Sequence, residues 1–191
     1  MKKIVIAIGA LLLLSAPAFA EYSLNPYIGV DLDRNDVTYN DGAEAAVDDS
    51  LYGLNAHIGI RPSQNWGAEF GFFRTQEGSK DNVVGTAVDT KVKRYGVNLD
   101  AIGYLPISQD KRFEALGIAG LTYSKAEIEV SAPGATASLD DKDLGWRIGG
   151  GFQYHITDAV AARALVRYER VDFDDSIDHV ITSSVGLSFG F

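Results

Sequence analysis

The chain has no cysteine, which excludes disulfide staples, thiolate zinc sites, iron–sulfur clusters and cysteine nucleophiles together. Proline is scarce at 5 residues and methionine occurs once, whereas glycine reaches 20 and aromatic residues 10%, a balance suited to strands rather than helices. Positive charge is also short: 17 Lys and Arg face 26 Asp and Glu, for a net charge of −9. Nucleic acid is therefore excluded as a partner, since phosphate neutralisation needs a basic surface. Beyond residue 20 no apolar run approaches the ~20 residues of a membrane-crossing helix.

Lys2-Lys3, the apolar stretch Ile4 to Leu14 and Ala18-Phe19-Ala20 supply the basic start, short hydrophobic run and small-x-small cleavage site of a secretory leader. The expected plan is a cleaved signal peptide at 1–20 and one folded unit at 21–191. Losing Lys2 and Lys3 leaves that unit more acidic still. A secreted chain without a helical span is either soluble outside the cytoplasm or inserted in a membrane as a closed β-barrel.

What the sequence does contain is alternation. In 146–156, Trp146, Ile148, Gly150, Phe152, Tyr154 and Ile156 share one parity, and Arg147, Gly149, Gly151, Gln153 and His155 the other. The C-terminus sets Ile181, Val185, Leu187, Phe189 and Phe191 against Thr182, Ser184, Gly186, Ser188 and Gly190. Strands of this kind are expected at 24–34, 50–61, 66–76, 88–105, 112–130, 143–156, 159–172 and 179–191. The fifth is ambiguous, because Leu116 and Ile118 share the parity of Glu114. Connections alternate between tight ones at 62–65, 107–111 and 157–158 and longer, polar ones at 35–49, 77–87, 131–142 and 173–178. That predicts an all-β fold, an eight-stranded antiparallel up-and-down transmembrane β-barrel.

Size decides which face looks outward. Tyr52, Trp66, Phe70, Phe72, Trp146, Phe152, Tyr154, Tyr168, Phe189 and Phe191 are too bulky together for the interior of eight strands. The opposite register would turn Arg147, Arg163 and Arg167 to lipid, at roughly 2–4 kcal/mol each near the midplane. These three arginines are instead expected to pair inside with Glu69, Asp100 and Glu114 as a structural polar network.

Gly145-Trp146-Arg147-Ile148-Gly149-Gly150-Gly151-Phe152-Gln153-Tyr154-His155-Ile156-Thr157-Asp158, followed by Arg163-Ala164-Leu165-Val166-Arg167-Tyr168, resembles the penultimate hairpin of a known family. That family is the small eight-stranded outer-membrane β-barrel proteins, with OmpX, the Opa adhesins and the membrane domain of OmpA. The ending Val185-Gly186-Leu187-Ser188-Phe189-Gly190-Phe191 is similar to the signal by which the barrel-assembly machinery of Gram-negative bacteria recognises its clients, with Phe189 and Phe191 as its aromatic residues. The resemblance implies a location in the outer membrane of a Gram-negative bacterium and specifies no activity, since such barrels include adhesins, lipid-modifying enzymes and proteins of no assigned task.

Catalytic motifs fail on context. Gly186-Leu187-Ser188-Phe189-Gly190 matches G-x-S-x-G, but lies on a terminal strand with no acid or histidine after it. Gly149-Gly150-Gly151 lacks the lysine and helix of a phosphate loop. His57, His155 and His179 have no metal-ligand spacing. His155-Ile156-Thr157 is similar to the His-x-Ser pair of lipid A deacylases of this barrel type, with a threonine in place of serine. Asp172, Asp174, Ser176 and Asp178 imitate a calcium loop without its glycine and glutamate, and with Asp36, Asp41, Glu44, Asp48 and Asp49 they read as an acidic rim. Lys91, Lys93 and Lys125 face outward beside Tyr95 and Tyr123, with Lys93 expected opposite Ser124–Lys125, as a contact for lipopolysaccharide phosphates. The expected function is a monomeric, non-catalytic barrel without cofactor or metal, embedded in outer-membrane lipid and lipopolysaccharide. Its loops would serve adhesion, envelope integrity or contact with a host or surface ligand. A small pore, a lipid-modifying enzyme and a soluble periplasmic ligand barrel are the alternatives.

Overall fold

The computed structural model describes residues 24–39, 50–80, 89–132, 135–173 and 177–191, and the leader expected at 1–20 lies outside them. So do Asp41, Glu44, Asp48 and Asp49 of the expected acidic rim, and the side chains of Asp172, Asp174, Ser176 and Asp178. The strands are β1 (Pro26–Tyr39), β2 (Ser50–Ile60), β3 (Trp66–Thr75), β4 (Gly78–Lys80), β5 (Asp89–Pro106), β6 (Phe113–Ala132), β7 (Ala135–His155), β8 (Val160–Phe173) and β9 (Ile177–Gly190). All pairings are antiparallel, in the order β3-β2-β1-β9-β8-β7-β6-β5-β4, and β3 also pairs with β5, which closes the sheet. Strands β3 and β4 lie end to end against β5, with the register displaced by one residue across Gln76-Glu77. The cylinder therefore has eight staves, one of them jogged.

Alternation decides the wall. Tyr52, Phe72, Trp146 and Phe152 are 58%, 51%, 45% and 51% exposed, while Arg147, Arg163 and Arg167 on the opposite parity are 5%, 5% and 2% exposed. A carrier dissolved in the periplasm needs the reverse. The ambiguous fifth segment resolves inward: Leu116 and Ile118 join Ile102, Tyr104 and Leu165 in a buried cluster. Their outward neighbours shrink in compensation, so that Gly103, Gly117 and Gly150 form one row across β5, β6 and β7 on the wall.

At one end the connections are short and tied down. The Ser63 hydroxyl accepts from the Asn65 and Trp66 amides, the Ile107 amide donates to the Phe113 carbonyl, and the Thr157 hydroxyl accepts from the Ala159 and Val160 amides. Lys111 in the middle turn adopts a left-handed φ of 56°. This end, with both described termini, is the periplasmic one in outer-membrane barrels. The other end is longer than expected. The predicted loop 131–142 is mostly ladder, since β6 and β7 remain paired from Phe113↔Tyr154 as far as Ala132↔Ala135. Its polar Ser, Thr and Asp residues suggest a loop, but alternation above a membrane needs no apolar face.

The β5–β6 register also corrects an expectation. Lys93 pairs with Glu127, and Lys125 with Tyr95. The hairpin centres on Asp110 rather than near Ser108, because the six residues between Pro106 and Phe113 are all used in the turn.

Val30, exposed opposite Ala56 in the middle of the outward column from Tyr52 to Ile60, tests the orientation. Val30→Arg is expected to lower the unfolding free energy in liposomes by about 2–4 kcal/mol, read from urea-induced unfolding.

Candidate functional site

Two regions concentrate polar chemistry: the lumen and the outward rim at the extracellular end. In the lumen, Arg163 on β8 donates from Nε to Asp31 Oδ1 at 2.8 Å, from Nη2 to Asp31 Oδ2 at 2.6 Å and from Nη1 to Glu69 Oε2 at 2.6 Å. His57 Nδ1 lies 3.0 Å from the same guanidinium. Arg147 on β7 grips Asp100 through Nε, at 2.7 Å, and through Nη2. Arg167 bonds Asp33 at 3.1 Å and Ser184, and Arg94 pairs with Glu169 while lying 5.0 Å over the Phe73 ring. Glu69, Asp100 and the three expected arginines are thus brought together. Glu114 is not among their partners; it belongs to a separate group at the periplasmic mouth.

That group is built around Arg61. Its guanidinium holds Glu114 at 3.0 and 2.8 Å and also donates to the Ser63 and Gln64 carbonyls, tying the β2–β3 turn to β6. It lies 3.9 Å over the Tyr104 ring, and His155 Nε2 sits 2.9 Å from Glu114 Oε2. A half-open cavity of about 570 Å³ lies beside these residues, lined also by Tyr27 and Gln153. His155 turns to Glu114 and the Thr157 hydroxyl to backbone amides, so the His-x-Thr pair is not aligned as base and nucleophile.

The two strongest lumenal pairs share a construction. Asp100, Gly120 and Arg147 face one another across β5, β6 and β7, and Asp31, Gly186 and Arg163 do so across β1, β9 and β8. The charges meet over the glycine between them. A Cβ on Gly120 would stand 2.0 Å from Asp100 Oδ1 and 2.5 Å from the Leu99 carbonyl; on Gly186 it would stand 2.1 Å from Asp31 Oδ1 and 2.4 Å from the Val30 carbonyl. Buried charges of this kind are costly unless paired, so the glycines are a condition of the network.

On the outward rim, beyond the membrane-spanning part, Glu127 accepts from Lys93 at 2.6 Å, Lys125 at 2.6 Å and Tyr95 at 2.8 Å, and Lys91 pairs with Glu77 at 2.9 Å. The three expected lysines therefore sit within a shell of two carboxylates. The donors around Glu127, Lys125 first, hold its carboxyl down to about 2.

Two outcomes follow. Gly120→Ala and Gly186→Ala are each expected to destabilise the barrel by about 1–3 kcal/mol through overpacking. Gly117→Ala, whose Cβ would meet nothing within 4 Å, is expected to be neutral; urea unfolding of the three variants compares them. Because the folded value of Glu127 is depressed, its ionic contacts are complete above the ordinary 4.5 and lost as pH falls toward about 2. A carboxyl carbon NMR titration checks that midpoint, and Lys125→Gln should raise it.

The outer membrane protein beta-barrel domain family matches residues 6–191. Sequence comparison with curated proteins found no match. Among solved structures, Neisserial surface protein A aligns with a TM-score of 0.64 and 16% identity over 87% of this chain and 97% of its own. Ail, the attachment invasion locus protein of Yersinia pestis, aligns at 0.59 and 23% over 90% and 99%. OprG of Pseudomonas aeruginosa aligns at 0.58 and 14% over 89% and 97%. The fold is theirs, and the match across nearly the whole sequence makes the chain a member of the outer membrane protein β-barrel domain family, resident in the outer membrane.

Proposed function

We propose that this protein is a non-catalytic surface barrel whose plugged wall anchors it in outer-membrane lipid while its extracellular end makes contacts outside the cell. The filled lumen carries this reading. Ion pairs of Arg94, Arg147, Arg163 and Arg167 cross it, and Ile102, Leu116, Ile118 and Leu165 pack inside it as an apolar cluster, a design suited to rigidity rather than passage.

The extracellular end favours adhesion within that reading. Among the described residues β7 pairs with β8 only from Trp146 onward, so 135–145 are held by β6 alone and offer an open strand edge. Such an edge accepts an extended segment of a partner by main-chain hydrogen bonds. Ail, of the same fold, has been crystallised with the heparin analogue sucrose octasulfate. The acidic sequence between β1 and β2, with Asp41, Glu44, Asp48 and Asp49, together with Asp140, Asp141 and Asp143 of β7, complements a cationic or protein partner better than a sulfated glycan. Lipopolysaccharide contact by Lys91, Lys93 and Lys125, assembly by the barrel machinery through Phe189 and Phe191, and a monomeric state belong to the same proposal.

Replacing 128–139 by Asn-Gly between the paired residues Glu127 and Asp140 removes the hairpin tip and leaves the wall intact. Cells displaying the trimmed barrel should keep its heat-modifiable gel mobility, give no discrete currents in planar bilayers, and lose most of their adherence to epithelial monolayers. Undiminished adherence, or stepwise conductance by the intact protein, overturns the proposal.

A further inference from the structure

The half-open cavity at the periplasmic mouth encloses about 570 Å³, within the range of small-molecule sites. Its inner wall includes Ser188 on β9, Ala161 on β8 and His155 on β7, three residues of inward parity in one cross-strand row. Ala161 contributes only a methyl, so the space runs in over it between two polar neighbours. Ser188 and His155 stand two strands apart, roughly 10 Å between Cα atoms from strand spacing, a gap that a single hydrogen-bonding atom bridges.

The side chains around this space leave acceptors open. Arg61 on its margin is matched in charge by Glu114 and turns its guanidinium to that carboxylate and to the Ser63 and Gln64 carbonyls. Tyr27 donates its hydroxyl to Glu69. Glu114 accepts from His155 Nε2, which fixes the proton on that nitrogen and leaves Nδ1 with a lone pair. Ser188 is only 7% exposed, yet its hydroxyl has no hydrogen-bond partner among the described residues. A hydroxyl so deeply placed and so unmatched is rare unless water or a ligand completes it. At the entrance Asp158, exposed in the β7–β8 turn, has no ionic partner among the described residues and is the unmatched charge on the cavity lining.

We propose that this mouth is a periplasmic binding site for a primary ammonium on a short carbon stem, the chemistry shared by a free diamine and a lysine-like side chain. The ammonium sits over Ala161 and donates to the Ser188 hydroxyl and to His155 Nδ1, with the Asp158 carboxylate supplying opposite charge at the entrance. Its stem lies along the rings of Tyr27 and Phe191. An anion would meet Asp158 and find the Arg61 charge already matched by Glu114. A neutral apolar guest would leave the Ser188 hydroxyl without a partner. The site faces the periplasm and is independent of the extracellular contacts proposed above.

Titration of the full barrel in detergent micelles, followed through the Ala161 methyl signal by carbon–proton NMR, tests the site. The diamine putrescine and Nα-acetyl-lysine methylamide should both give saturable shifts, whereas Nα,Nε-diacetyl-lysine methylamide and acetate should give none. Tighter binding of the lysine derivative assigns the site to a side chain of a periplasmic partner, and tighter binding of putrescine to a free amine. Asp158→Asn and Ser188→Ala should each weaken amine binding by about threefold or more while heat-modifiable mobility is kept. Because Asp158 is exposed in a turn, its replacement leaves the wall intact and carries the test alone if Ser188→Ala does not insert. Saturation by the diacetylated compound, absence of saturation by both amines, or undiminished amine binding by a folded variant overturns the proposal.

Discussion

The constraint on which this structure depends is that opposite charges must meet inside a cylinder too narrow to hydrate them. Eight strands leave room for side chains and little else. An arginine there has no stable state except one in which a carboxylate is within hydrogen-bond reach, since an unpaired buried charge costs several kcal/mol. Neighbouring strands place their inward side chains side by side, and the pairs Arg147–Asp100 and Arg163–Asp31 join residues two strands apart. The intervening strand must therefore vanish locally, and Gly120 and Gly186 are where it does. Glycine weakens a strand, so its presence at these two positions marks a site where the ionic contact outweighs that cost.

The same limit on volume acts in reverse nearer the periplasm. Ile102, Leu116 and Ile118 fill the interior there, and the wall opposite them carries Ala101, Gly103, Gly117 and Ala119. Bulk is exchanged between faces while the parity of the strands is kept. Beside this apolar cluster Arg163 binds Asp31 and Glu69, the Tyr27 hydroxyl links Glu69 to the clustered Tyr104, and Arg61 holds the β2–β3 turn against Glu114. Charge and apolar bulk thus interleave in the lumen.

Alternation made the strands legible, because a wall between lipid and a polar interior demands period two wherever the membrane is. It made Arg147, Arg163, Arg167, Glu69 and Asp100 legible as inward residues for the same reason. Partners were not legible, since they depend on register and on the tilt that brings distant strands together. Asp31 and Asp33 alternate with Val30 and Leu32 in a pattern open to the same reading, and Arg94 shares the parity of Asp100; parity alone could have placed all three inside. Glu114 has the same parity argument as Glu69, yet the mouth-closing Arg61, which continues the polar parity of the 50–61 run just past the end of β2, claims it. Arg74 is not legible as a wall residue from the sequence, because an exposed arginine near a strand end is ordinary and only the register shows Phe72 beneath it on the same face.

Inside and outside obey one electrostatic rule with different partners. In the lumen every arginine described above finds its anion within the chain, and the pairs brace strand against strand. On the outward rim Glu127 and Glu77 satisfy the lysines, while Arg74 has no ion pair among the described residues. A cylinder closed in this way resists a change of shape, because moving any stave would separate buried charges. Among the described residues its outward face consists of apolar wall, the ion-paired rim around Glu127, and the stretch of β7 that rises past its last partner on β8.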